Sequence, residues 1–209
     1  MLAFYILATG TMKSLLISFT RWHVIGKENV PKNGPIIVVS NHLNLPDPPL
    51  LSASIPRRLF FMAKEELFSS KGRAFVSAFG AFPVRRGIPD RDAIRQATKI
   101  IESDNALCMF PEGKRSPDHR MGKAEFGSAL IALRSGAPVL PVGISGSEQI
   151  DGVGLVLQRP RITVNIGKPF SFPKSTGKLG RERLIEVTDH IMYRIAELLP
   201  KEYRGVYDS

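Results

Sequence analysis

His42 and Asp47 stand five residues apart in Asn41-His-Leu-Asn-Leu-Pro-Asp47, and Phe110-Pro-Glu-Gly-Lys-Arg-Ser116 follows in the second half of the chain. An alcohol is a poor nucleophile until a base removes its proton. Histidine suits that task because its unperturbed pKa of about 6.5 leaves much of it neutral near neutral pH. An aspartate on the other ring nitrogen fixes the tautomer and stabilises the imidazolium that forms. The spacing puts His42 and Asp47 on different faces of a regular helix, so a proline-containing turn must bring them together. On its own the pair also fits a structural role.

The second segment changes the balance. A strand end running into Pro111-Glu112-Gly113 exposes backbone N–H groups that can hold a phosphate or a developing oxyanion. Lys114 and Arg115 add charge, and an arginine grips phosphate with two parallel hydrogen bonds. The alternative is a surface turn with solvated charges. Gly80-Ala-Phe-Pro-Val-Arg-Arg-Gly87 offers the same choice, with Arg85 and Arg86 as an anion clamp or as surface decoration. Pro138-Val-Leu-Pro-Val-Gly143 is mainly apolar and reads as a wall. Together the segments describe a site that deprotonates a hydroxyl beside a bound phosphate.

Such groups need a scaffold. Ile36–Val39 is a β-branched run that reads as a buried strand, placing His42 at its carboxyl end, where open α/β sheets bind ligands. Asp47 is the expected N-cap of a helix through Leu50-Leu51, with Pro48 at its first position. Further strands are predicted at Leu59–Ala63, Phe82–Val84, Ala106–Phe110, Val139–Ile144 and Arg161–Ile166. Helices are predicted at Ser70–Phe79, Asp90–Ser103, Lys123–Arg134 and Arg181–Leu199, the last carrying Leu184, Val187, Ile191, Ile195 and Leu198 on one face. The alternation predicts an α/β single-domain sandwich, a central mixed sheet flanked by helices, with an N-terminal apolar helix added.

Composition agrees. The 209 residues are 43% apolar and 23% charged, as in a globular domain. The lone Cys108 excludes an intramolecular disulfide and lies in an apolar run, as a buried inert thiol would. The net charge of +10 points to anionic partners. Basic residues come in scattered pairs such as Arg57-Arg58, and no nucleic-acid-binding signature accompanies them, so a membrane surface fits better than nucleic acid. His23, His42, His119 and His190 have no ligand-like spacing, so no metal is expected, and no nucleotide loop suggests a cofactor.

Met1–Phe19 is apolar but interrupted by Thr9-Gly10-Thr11 and Lys13, which makes it a marginal candidate for the about 20 mostly apolar residues a spanning helix needs. A helix lying in the interface is the preferred reading, with Lys13, Arg21 and Lys27 near lipid phosphates. A core helix packed on the domain is the alternative. The expected division is an apolar membrane-associating helix over residues 1–22 and a catalytic domain over 23–209.

The chain resembles the glycerolipid acyltransferases typified by 1-acylglycerol-3-phosphate acyltransferase. The resemblance runs from about Val24 to Ile166 and rests on Asn41-His42 with Asp47, Gly80–Gly87, Phe110–Ser116 and Val139–Val142, in the family's order. It implies direct acyl transfer without an acyl-enzyme. His42 would deprotonate the sn-2 hydroxyl of lysophosphatidic acid, with Asp47 orienting it. The donor would be acyl-CoA or acyl carrier protein, and the product phosphatidic acid. Arg86, Arg115 and Lys64 match phosphate-binding positions, although Lys64 also reads as a solvent lysine. Glu112 and Gly113 match the block that shapes the acceptor site. Lys114 replaces a common threonine and Asn44 a frequent serine, departures that bear on the head group accepted. Glycerol 3-phosphate or another lysophospholipid as acceptor, and a non-catalytic basic membrane-binding module, are the competing readings. The implied location is the cytoplasmic face of the cell membrane, as a peripheral or monotopic protein.

Overall fold

The computed structural model describes residues 2–69, 72–85, 90–150 and 158–208. The β-branched run becomes β2 (Ile36–Ser40), every residue of which is buried. It occupies the middle of a seven-stranded sheet, paired in parallel with β5 (Ala106–Met109) on one side and β6 (Val139–Ser145) on the other. β3 (Leu59–Lys64) and β4 (Ala81–Val84) continue the parallel set beyond β5. On the other side β7 (Arg161–Ile166) lies antiparallel to β6, and β1 (Arg21–Ile25) pairs in parallel with β7. The order is β1-β7-β6-β2-β5-β3-β4, a mixed sheet as expected.

Period-two alternation divides the core between the two faces. Ile37, Val39, Leu107, Met109 and Val139 face one way. They pack with residues of α4 (Arg91–Glu102), α5 (Gly127–Ser135) and α6 (Arg181–Ala196). Ile36, Val38, Cys108, Leu140 and Val142 face the other way, against Leu50 and Leu51 of α2 (Asp47–Ser54) and Leu16 of α1 (Leu2–Phe19). Cys108 is fully buried, and burial pushes its thiol well above its usual pKa, as suits an inert core residue.

Three sequence expectations need correction. Asp47 opens α2 but does not cap it: the cap position falls to Pro46, and the Asp47 carboxylate turns back toward His42. α5 starts at Gly127 and not Lys123, because the amide of Glu125 bonds to the carbonyl of Pro111 and holds that stretch as a loop. α6 ends at Ala196, three residues short of Leu199. β1 was not anticipated. It is an edge strand with alternating exposure, and Arg21 and Trp22 already belong to it. α3 (Arg73–Ala78) falls inside the helix expected over Ser70–Phe79.

α1 is long and apolar enough to cross a membrane, yet only Tyr5 and Leu16 are buried. The Tyr5 hydroxyl accepts the Leu59 amide at 3.1 Å, and the Arg58 guanidinium lies 5.6 Å from its ring. Leu2, Phe4, Ile6, Leu7, Leu15 and Ile17 remain exposed. The alternative of a helix buried in the core therefore does not hold.

Candidate active site

β2, β3, β4, β5 and β6 all end along one edge of the sheet, and the candidate residues follow those ends. Just past β2, His42 is 9% exposed and stacks on Phe110, with ring centroids 4.1 Å apart. Its Nδ1 lies 2.8 Å from Asp47 Oδ2. The same carboxylate oxygen accepts the backbone N–H groups of Leu43 at 2.7 Å and Asn44 at 2.8 Å. These bonds close the proline-containing turn. Asp47 Oδ1 accepts the Ser147 hydroxyl at 2.6 Å, and Asp47 is fully buried. With Nδ1 engaged by the carboxylate, Nε2 is the ring nitrogen left to accept a proton.

Glu112 ties the second segment to the first. Its Oε1 accepts the His42 backbone N–H at 3.3 Å and its Oε2 accepts that of Gly122 at 2.9 Å. Burial pushes its carboxyl up to about 7, against the two N–H bonds that favour the ionised form. The Ser116 amide donates to the His42 carbonyl at 2.8 Å, a second tie between the segments. Gly113 sits at φ 69°, a left-handed conformation that closes the turn after β5 at little cost only for glycine. Lys114 and Arg115 are exposed on that turn.

Lys64 ends β3, half exposed, with its ammonium 3.0 Å from Glu66. Arg85 donates its backbone N–H to Asp90 at 2.8 Å, and this bond together with that of Ala93 holds the Asp90 carboxyl down to about 2. Arg86 lies outside the described residues. Among the described residues, no cluster of His, Cys, Asp or Glu could hold a metal.

A cavity of about 90 Å³ is lined by His42, Phe110, Lys64, Met62, Phe75 and Phe79, among others. Phe75 and Phe79 also line a larger groove of about 380 Å³ between α1 and α3, whose remaining walls include Phe4, Leu7, Met12 and Leu15. A base, the lysine Lys64 and an apolar groove thus adjoin one another.

Sequence reasoning missed Ser147 and gave Asn41, a member of the first motif, no role of its own. The Asn41 side chain bonds both the carbonyl (2.9 Å) and the amide (2.8 Å) of Ile144, stitching the His42 loop to β6. Nothing local marks either contact, since the bonds of Asn41 span 103 positions of chain and that of Ser147 spans 100.

A family model described as acyltransferase matches residues 21–145. The 1-acyl-sn-glycerol-3-phosphate acyltransferase of Streptococcus pneumoniae is 29% identical over 93% of this chain and 73% of its own length. The enzyme of the same name from Bacillus subtilis is 29% identical over 84% and 86% respectively. The crystal structure of the 1-acyl-sn-glycerophosphate (LPA) acyltransferase PlsC from Thermotoga maritima superposes with a TM-score of 0.66 at 27% identity, over 88% of this chain and 76% of that one. A model spanning more than half of the chain, and carrying both the His42–Asp47 turn and the Phe110–Ser116 turn, shows that the chain belongs to the acyltransferase family.

Proposed function

We propose that this chain transfers a fatty acyl group from a thioester to the sn-2 hydroxyl of 1-acylglycerol 3-phosphate. His42 Nε2 takes the hydroxyl proton while Asp47 holds Nδ1. The oxygen attacks the thioester carbonyl, the new C–O bond forms, and the C–S bond breaks. The imidazolium returns its proton to the departing thiolate, leaving phosphatidic acid and a free thiol carrier. Lys64, Arg86, Lys114 and Arg115 form the cationic rim for the acceptor phosphate, Lys64 from its place in the cavity wall and the other three from the sequence motifs. The donor is acyl-CoA or acyl carrier protein; both are acidic and suit a chain of net charge +10.

The observation that carries this reading is the 2.8 Å contact between His42 and Asp47 beside a cavity that continues into an apolar groove. The exposed apolar residues of α1 support docking at a membrane surface, where the lipid acceptor resides. The test is thiol release from an acyl thioester in the presence of lysophosphatidic acid. His42→Ala should lower turnover by roughly 10²–10⁴-fold or more while keeping the fold. Wild-type turnover in folded His42→Ala would reject the role. Glycerol 3-phosphate and other lysophospholipids, run with the same donor, identify the acceptor.

A further inference from the structure

We propose that Ser147 is a positioning residue for the His42–Asp47 pair, and that Tyr203 in the C-terminal segment anchors both supports of that pair. The proposal rests on the reading of His42 as the base.

Asp47 Oδ2 is committed to His42, Leu43 and Asn44, and among the described residues Ser147 alone holds Oδ1. A carboxylate held on one oxygen can pivot about its Cβ–Cγ bond. Holding the second fixes its plane, and with it the direction in which it presents Oδ2 to the imidazole. Ser147 and Asp47 are both fully buried, so their bond is shielded from bulk solvent. Ser147 starts a short 3₁₀ turn, and its hydroxyl proton goes to Asp47 and not to a carbonyl of that turn.

The Ser147 turn is itself fixed. Gly146 adopts φ 83°, and a Cβ there would collide with the carbonyl oxygen of Arg161. The Asn44 side chain donates to the carbonyls of Ser147 at 3.0 Å and Ile150 at 3.1 Å. The Tyr203 hydroxyl accepts the Gly146 amide at 3.3 Å and donates to Glu148 at 2.7 Å. Burial, then the bond to Glu148, pushes the phenol up to about 12, so it remains a donor at working pH.

Tyr203 reaches the other support through its backbone. Its carbonyl accepts the Met121 amide at 2.8 Å, and the next residue, Gly122, donates to Glu112. Glu112 in turn accepts the His42 amide. One residue of the C-terminal segment thus braces the aspartate through Gly146–Ser147 and the histidine through Met121–Glu112. Both Ser147 and Tyr203 lie beyond the span matched by the family model.

The experiment is a double-mutant cycle in the full chain, read by thiol release with His42→Ala as control. Ser147→Ala should lose roughly 10- to 100-fold in kcat, with both KM values changed by less than about twofold. Ser147→Thr restores the hydroxyl and should recover most of the loss. In an Asp47→Asn background, Ser147→Ala should cost nothing further, because the two act as a unit. Wild-type kcat in folded Ser147→Ala, or a loss that multiplies with that of Asp47→Asn, overturns the proposal. Tyr203→Phe keeps the ring and deletes only the hydroxyl, so it reads the brace even if Ser147→Ala fails to fold. It should lower kcat several-fold without changing either KM, and an unchanged kcat overturns the brace. An active His42→Ala would instead defeat the reading of the base, whereas an inactive one beside wild-type-like Ser147→Ala defeats this inference alone.

Discussion

Glu112 holds the backbone N–H of His42 on one carboxylate oxygen while its other oxygen holds that of Gly122, so the acid is spent on architecture at the base's own loop. Burial raises its carboxyl to about 7, above the ordinary carboxyl value of about 4.3. Between those values the folded protein binds more protons than the unfolded chain. The stability this group contributes is therefore present below the ordinary value and lost as pH climbs through about 7. Urea midpoints measured from pH 5 to 8 should fall more steeply for the wild type than for Glu112→Gln. Parallel slopes would contradict a buried, proton-binding Glu112.

Asp47→Asn leaves one acceptor oxygen where four donors now converge. An unsatisfied buried polar group costs about 1–3 kcal/mol, so the melting point should drop. Turnover should fall by roughly 10²–10⁴-fold with little change in either KM, since the base loses its orienting partner. Unchanged turnover in steady-state assays would remove Asp47 from the chemistry.

Ala78 lines the groove between α1 and α3. Ala78→Trp should shorten it and penalise long-chain donors over short ones. Each methylene denied burial costs about 0.8 kcal/mol, or about fourfold in kcat/KM. A uniform loss across donor lengths would mean that the acyl chain lies elsewhere.

Ile6 and Ile17 are exposed on α1 and face away from the groove lining. The double substitution Ile6→Asp with Ile17→Asp should weaken sedimentation with anionic vesicles by at least about tenfold, given about 1.5–3 kcal/mol for each buried isoleucine. Undiminished vesicle binding would reject α1 as the membrane contact.

Arg57 donates to the carbonyls of Pro31 at 3.2 Å, Gly34 at 2.7 Å and Asp104 at 3.0 Å. Arg57→Ala strands these carbonyls and should destabilise the fold by about 1–2 kcal/mol, visible in chemical denaturation. An unaltered midpoint would assign Arg57 to the solvent.

That residue also shows where sequence reasoning stops. Arg57 and Arg58 read as surplus surface charge, yet one caps carbonyls and the other stacks on Tyr5 and Phe60. The strands were legible because each is a short apolar or β-branched run bounded by proline, glycine or polar residues. The His42–Asp47 contact was legible because Pro46 lies between the two residues. The contacts of Ser147, Asn41 and Tyr203 were not, because hydrogen bonds between residues 55 to 103 positions apart leave no periodicity or spacing. Edge strand β1 escaped because its exposed alternate positions dilute the apolar signal, and α5 began late because Glu125 bonds to Pro111 rather than entering the helix.

The carboxylate that steadies the imidazole also knots its own loop through the amides of Leu43 and Asn44. Chemistry and architecture cannot be tuned apart at position 47. Lengthening or shortening the intervening tetrapeptide would unfasten the knot and misdirect the ring in a single stroke.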